Sequence, residues 1–492
     1  MQFASINFFC FFLFAILGYY LFPKKNQYIF VFITNIIYYV SWVTNCKYII
    51  PLGVVIVISY LGAIILHRLE GKTIVRKIVL AMTIFLTLTS LLLFKYGNFL
   101  IDNLNAAIPQ MNISHLHFIQ TVGLSFFSLQ ALGYVVDVYK QKTKVEYNII
   151  RYMAFVSFFA TVSSGPIERS DHLLLQLRDE EGITLDWHNL YSGLLWFVYG
   201  VFLKLCIADR LSVLVNTVYG SYKSYGGGIL FSAAIAYSIE IYCDFEAYSL
   251  MALGLGKMLG IELIDNFDTP YFATTVQDFW RRWHISLSTW FRDYVYIPLG
   301  GNRCSKFRKY MNLLITFLVS GLWHGADWTF VIWGGMHGLF QIIGDATKKI
   351  RNKLFDLIGI NTECFSFKLS QRIIVFVLIT FAWIFFRADT LEIAVGYIQR
   401  IFAHPELWGV LNGDIYNLGL DNLQMNLLWI GLLIMVVVDV YRYKTGNHFD
   451  EFLIKQNVSF NILVIVSLLV SILVFGMYGS SFDSQSFIYF QF

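Results

Sequence analysis

Apolar positions in this chain come in long runs separated by short polar connections. Their pattern is neither the strict alternation of half-buried strands nor the narrow stripe of a soluble amphipathic helix. A run of about 17–25 apolar residues can cross a bilayer as a helix. Residues 3–22, 27–45, 48–66, 78–99, 121–139, 190–207, 229–252, 311–326, 328–344, 373–387, 426–441 and 460–478 read as such runs. Segment 149–165 is shorter and more polar, and reads as re-entrant or partly crossing. The prediction is an all-α, polytopic integral membrane protein with about 11–13 membrane helices. The first run has no basic segment ahead of it and no small-residue cleavage site, so a retained helix is expected rather than a signal peptide.

Charges in the connections set the expected orientation. Lys24 and Lys25, then Arg68, Lys72, Arg76 and Lys77, then Lys140, Lys142 and Lys144 mark cytoplasmic connections. So do Lys348, Lys349, Arg351, Lys353, Lys368 and Arg372, and later Arg442, Lys444 and Lys455. Segments 101–120, 404–425 and 479–492 hold no Lys or Arg and should lie outside, which places both termini outside. The middle, 145–310, does not alternate cleanly and gives no firm count. No internal repeat and no Pro- or Ser-rich linker divides the chain, so 1–492 is expected to be one integral domain.

Composition narrows the class. Of 492 residues, 57% are hydrophobic and 14% charged, which excludes a disordered chain and a soluble globule of two or three domains. Six cysteines without a CxxC pair exclude a disulfide scaffold and offer no metal-ligand spacing, so no metal is expected. A net charge of +4 gives no concentrated basic face for nucleic acid.

Candidate chemistry concentrates in 270–344, the expected core segment. On a helix, Phe279/Trp280, Trp283, Leu287 and Trp290 form an apolar stripe, with Arg281, Arg282 and Arg292 away from it. Such a helix is too charged to span, and should lie at the interface or be packed inside the protein at membrane depth. His284 borders the stripe, either as a hydrogen-bonded structural group or as a proton-transfer group. Arg281 and Arg282 would hold a phosphate-bearing ligand or anchor the helix to anionic headgroups. Tyr296 through Gly301 should end the helix in a tight turn. Further on, Asn312, Thr316, Ser320 and His324 fall at i, i+4 steps and draw one polar line along an apolar helix. An ionisable group at membrane depth suggests a functional site, although polar lines also glue helices together. Gly325 should interrupt that helix. His337, beside Gly334 and Gly338, reads as close helix packing. Glu240, Asp244 and Tyr248, with Glu246 nearby, would form a proton relay or pair with buried arginines. Asp137 and Asp209–Arg210 read as interface residues. Histidine can take and return a proton near neutral pH, as acyl transfer from a thioester to a hydroxyl requires. Without a GxSxG elbow or an obvious nucleophile, direct attack by the acceptor hydroxyl fits better than a covalent acyl-enzyme.

At these residues the chain resembles the membrane-bound O-acyltransferase family. The resemblance is carried by Asp278-Phe279-Trp280-Arg281-Arg282-Trp283-His284-Ile285-Ser286-Leu287-Ser288 and by Phe291-Arg292-Asp293-Tyr294-Val295-Tyr296-Ile297-Pro298-Leu299-Gly300-Gly301. Ser320-Gly321-Leu322-Trp323-His324-Gly325 and Trp328-Thr329-Phe330-Val331-Ile332-Trp333-Gly334 follow. Gly123 to Phe127, Asp137-Val138-Tyr139, Gly165 to Arg169 and the closing Phe487 to Phe492 also match, so the resemblance covers most of the chain in order. Length and segment 160–180 are similar to the bacterial alginate O-acetylation branch, more than to the D-alanyl transfer branch of teichoic acid metabolism.

The resemblance implies a ring of membrane helices around a funnel, with shorter buried or interfacial helices forming a thin partition. It implies His324 and His284 as catalytic, with Arg281, Arg282, Trp283, Asn312, Ser320 and Trp323 as candidate substrate contacts. It implies no bound cofactor. A cytoplasmic thioester, acetyl-CoA or an acyl carrier protein, would supply the acyl group. The acceptor would be a cell-surface or periplasmic polysaccharide, or an accessory acetylation protein. The expected location is the bacterial cytoplasmic (inner) membrane. D-alanyl transfer to teichoic acid, a transporter of an acylated or lipid-linked molecule, and a membrane scaffold are the competing classes.

Overall fold

Among the described residues, seven helices are long and apolar enough to cross a membrane: Ile50–Arg68, Thr73–Phe94, Trp187–Gly220, Gly227–Met258, Phe365–Arg387, Asn422–Thr445 and Val458–Phe475. Ile6–Leu21 and Leu124–Tyr139 are apolar but shorter. This computed structural model describes residues 1–42, 46–116, 121–179 and 181–478, and every regular element among them is helical. The expected outer tail 479–492, with its Phe487–Phe492 motif, lies outside the described residues. A chain with this many apolar helices is a multi-pass membrane protein, since helices satisfy their own backbone groups in lipid.

The chain falls into two compact units. The first comprises 1–197 and 248–265. Its interior holds an aromatic cluster in which Phe8, Phe11, Tyr38 and Phe159 pack within 6.1 Å of one another in a chain of ring contacts. The doubtful segment 149–165 is resolved here. Only Ile149–Val156 is helical, and eight residues rise about 12 Å, far short of a bilayer. The following turns are buried, and Asn35 serves their backbone: its amide donates to Ala154 O (3.0 Å) and accepts from Phe159 N (2.9 Å). Asp137, expected near a span end, is buried and accepts from Ser170 Oγ at 3.2 Å.

The second unit comprises 198–247 and 266–492. Asp209 and Arg210, expected at an interface, are buried, because the helix winds into a π turn at Leu203–Ala208 that turns polar groups inward. Lys204 bridges Asp209 (2.9 Å) and Asp244 (2.7 Å), while Arg210 donates to the carbonyls of Cys206 and Phe475. Of the acidic trio, Asp244 thus pairs with a lysine, and the neighbouring Glu246 lies 3.7 Å from Arg442.

The long stripe in 276–291 does not form one helix. Val276–Arg282 and Ile285–Phe291 are separate, broken where Trp283 is extended and His284 takes a left-handed backbone (φ 45°, ψ 55°). Thr275 caps the first by accepting from Asp278 N. The stripe residues Phe279, Trp280, Trp283, Leu287 and Trp290 are all buried even so. Gly300 and Gly301, both at positive φ, make the expected turn. Ser305 then caps Lys306–His324, which ends as expected at Gly325, and Asp327 caps Trp328–Leu357.

Candidate active site around His284 and His324

Two glycines let the helices Lys306–His324 and Trp328–Leu357 approach closely. A Cβ on Gly334 would meet Phe317 O at 2.2 Å, and one on Gly321 would meet Phe330 O at 2.3 Å. Backbone therefore rests on backbone at these two positions. Asn312, Thr316, Ser320 and His324 are all buried along their helix, as the spacing predicts. Their roles diverge locally. Asn312 donates its amide to Gly301 O (3.2 Å) and so fastens the glycine turn, while Thr316 Oγ1 donates to Asn312 O (2.7 Å).

His324 is 2% exposed and His284 is wholly buried, and their rings lie 6.4 Å apart between centroids. Aromatic rings enclose His324: Trp323 at 5.0 Å, Trp333 at 4.9 Å and Phe386 at 5.6 Å. His284 packs edge to face on Phe245 at 4.6 Å and lies 6.1 Å from Trp323. Burial pushes the His284 imidazole down to about 3, so the ring is neutral at physiological pH.

A left-handed histidine is strained, and the structure shows what holds it. Asn266, fully buried, accepts from Ile285 N with its carbonyl (2.9 Å). Its Oδ1 accepts from Ser286 Oγ (2.6 Å) and Ser286 N (3.4 Å). On the other side, Asp268 N donates to Arg282 O (2.9 Å). Arg282 on one side of His284, and Ile285 with Ser286 on the other, are thus laced to segment 266–268.

The remaining candidates divide. Trp323 and Ser320 are buried on the His324 helix, and Trp323 touches both histidine rings. Trp283 is buried in an aromatic stack with Phe279 (5.4 Å) and Trp383 (5.1 Å). Arg282 is half-buried and paired with Asp278 (3.1 Å) and Asp268 (3.3 Å). Arg281 is exposed. As site residues, sequence reasoning missed Asn266, Trp383 and Phe386, and it named Trp333 only within the family motif. Only Trp333 left a trace, four positions before His337 on one helix face. Among the described residues no group of three His, Cys, Asp or Glu side chains could hold a metal ion.

The two histidines thus share a buried aromatic environment, in which His284 is neutral at physiological pH. The model of the membrane-bound O-acyltransferase family matches residues 79–388. A probable alginate O-acetylase of Pseudomonas aeruginosa is 32% identical over 88% of this chain and 81% of its own length. A peptidoglycan O-acetyltransferase of Helicobacter pylori is 33% identical over 77% of this chain and 73% of its own. A teichoic acid D-alanyltransferase of Streptococcus thermophilus is 30% identical, over only 47% of this chain and 59% of its own. With a family model spanning more than half the chain and a relative aligned along most of both lengths, this protein belongs to the membrane-bound O-acyltransferase family and is an O-acyltransferase.

Proposed function

We propose that this enzyme takes an acetyl group from a thioester at the cytoplasmic face of the bacterial inner membrane and passes it to a hydroxyl outside. The acceptor is a cell-surface or periplasmic polysaccharide, or an accessory protein that carries the group onward. The juxtaposition of His324 with His284, both buried among aromatic rings, carries this reading. His324 removes the proton of the acceptor hydroxyl as its oxygen attacks the acyl carbon. The carbon–sulfur bond then breaks, and the thiolate takes that proton from the imidazolium, so no net proton is consumed. His284, neutral and fixed by its neighbours, orients the acceptor. Arg281, exposed at the end of its helix, is suited to the phosphate of acetyl-CoA or of a carrier protein's prosthetic arm. Both termini lie outside in this reading.

The acetyl group is favoured over D-alanine because the O-acetylase relatives align along far more of the chain than the D-alanyltransferase does. The test is to supply labelled acetyl-CoA or acetyl-carrier to membranes with and without the protein, and to identify the labelled product. His324→Ala should abolish the label while the protein stays inserted at wild-type abundance. Transfer retained by that variant would remove His324 from the chemistry.

A further inference from the structure

His337 lies on Trp328–Leu357, fully buried, and its Nδ1 is 3.1 Å from the indole Nε1 of Trp280. An indole N–H can only donate. Nδ1 is therefore the acceptor and carries no hydrogen, so the ring is the neutral tautomer with its hydrogen on Nε2. That Nε2 is buried and has no hydrogen-bond partner. The rings around it, Phe317, Trp333, Phe340 and Trp383, bring no acceptor oxygen. The Trp333 indole N–H is also buried without a partner. Trp333 packs edge to face on His337 at 4.9 Å and on His324 at 4.9 Å, which places the two histidine rings at most about 10 Å apart. One of these buried N–H groups lies on the ring that packs against His324 and the other on the ring next to it, and each can still receive an acceptor.

We propose that His337 is a catalytic hydrogen-bond donor, presenting its Nε2–H to the acyl oxygen of the thioester, while His324 acts on the incoming hydroxyl. This rests on the acyl-transfer reading above. When the hydroxyl oxygen bonds to the acyl carbon, the carbonyl π pair moves onto the acyl oxygen. His337 Nε2–H stabilises that charge without giving up its proton, and Trp333 Nε1–H is the second donor. The pair returns to the carbonyl as the carbon–sulfur bond breaks. A donor of this kind is worth most in a chamber that excludes water. Trp280 sets which nitrogen of His337 faces the site.

The experiment compares His337→Asn and His337→Gln in steady-state transfer of labelled acetyl from acetyl-CoA, or from the carrier if that is the active donor. The shorter amide of asparagine can still accept from Trp280 but offers nothing at the Nε2 position, whereas the glutamine amide nitrogen reaches it. His337→Asn should lower kcat about 100-fold with little change in donor KM, and His337→Gln should recover at least about tenfold of that. The pH optimum should not move, since His337 does not exchange its proton. Trp280→Phe, which keeps His337 but releases Nδ1, should lower kcat several-fold and serves if the His337 variants fold poorly. Wild-type kcat in His337→Asn or in Trp280→Phe would overturn the proposal, as would equal losses in the Asn and Gln variants at matched melting temperature. A shifted acidic limb in His337→Gln would make the residue a base and overturn it too. Absence of labelled product from wild-type membranes would instead overturn the acyl-transfer reading beneath it.

Discussion

The rings of His284 and His324 stand 6.4 Å apart although one sits in a broken, charged, non-spanning segment and the other ends a long helix. The distance is too long for a direct hydrogen bond and leaves room for one substrate oxygen between them. In the proposed reaction the pair would hold the acceptor oxygen jointly rather than relay a proton directly to each other. The consequences reach several residues that carry no chemistry of their own.

Asn266 should act through His284. Replacing it with Ala removes the acceptor for Ser286 and leaves the left-handed turn held only by backbone contacts. We expect Asn266→Ala to lower kcat by about 10–100-fold with KM nearly unchanged, because a small misplacement of a catalytic group is costly. Asn266→Asp keeps the acceptor oxygen and should restore part of the rate. Equal kinetics in wild type and Asn266→Ala would dismiss the positioning role.

The backbone of His284 constrains what may replace it. Asn tolerates the left-handed region and Val does not. His284→Val should destabilise the protein by about 1–3 kcal/mol more than His284→Asn, with both impaired in transfer. Melting curves in detergent would show the difference, and overlapping curves would contradict the strain.

The same imidazole makes stability depend on pH. In the unfolded chain it binds a proton near 6.5, whereas burial lowers the folded value to about 3. The unfolded state therefore gains protons first as pH falls. This contribution is complete above about pH 6.5 and is lost progressively from there toward pH 3, by roughly 1–1.5 kcal/mol at pH 5.5. His284→Asn should flatten the slope of melting temperature between pH 7.5 and 5.5, and parallel slopes would exclude His284 as its source.

The glycine contact between Lys306–His324 and Trp328–Leu357 admits no side chain. Gly334→Val places atoms against the Phe317 carbonyl and should cost at least about 1–3 kcal/mol, together with most activity. Gly344→Ala, on the same helix with nothing within 4 Å of the added carbon, should be neutral or slightly stabilising and is the control. Normal abundance and melting of Gly334→Val would mean that the helices can separate without harm.

Lys204 holds two buried carboxylates. Lys204→Met leaves Asp209 and Asp244 facing each other inside the protein, at a cost of about 3–5 kcal/mol. Combining it with Asp209→Asn and Asp244→Asn should recover much of the loss, as read by the folded fraction after solubilisation. If the triple variant is no better than the single one, the lysine is needed for something other than charge balance.

The sequence by itself determined the class and the family, and the polar line from Asn312 to His324 with its stop at Gly325. Those depend on composition, helical period and local motif, which are properties of neighbouring residues. It also marked 270–301 as the unusual segment, but read one helix where there are two. Apolar spacing is preserved across the break, and the cause, Asn266 taking the backbone of Ile285 and the side chain of Ser286, comes from outside the segment. For the same reason the burial and partners of Asp137, Asp209 and Arg210 were not legible: a π turn and a partner distant in sequence are invisible to hydropathy. His337 was legible only as a packing residue, because what gives it a tautomer is an indole on a different helix. Tertiary structure alone decided which buried polar groups find partners and which are left facing the site, since in a low-dielectric interior each such group must be matched by one particular neighbour, and sequence periodicity names faces but not neighbours.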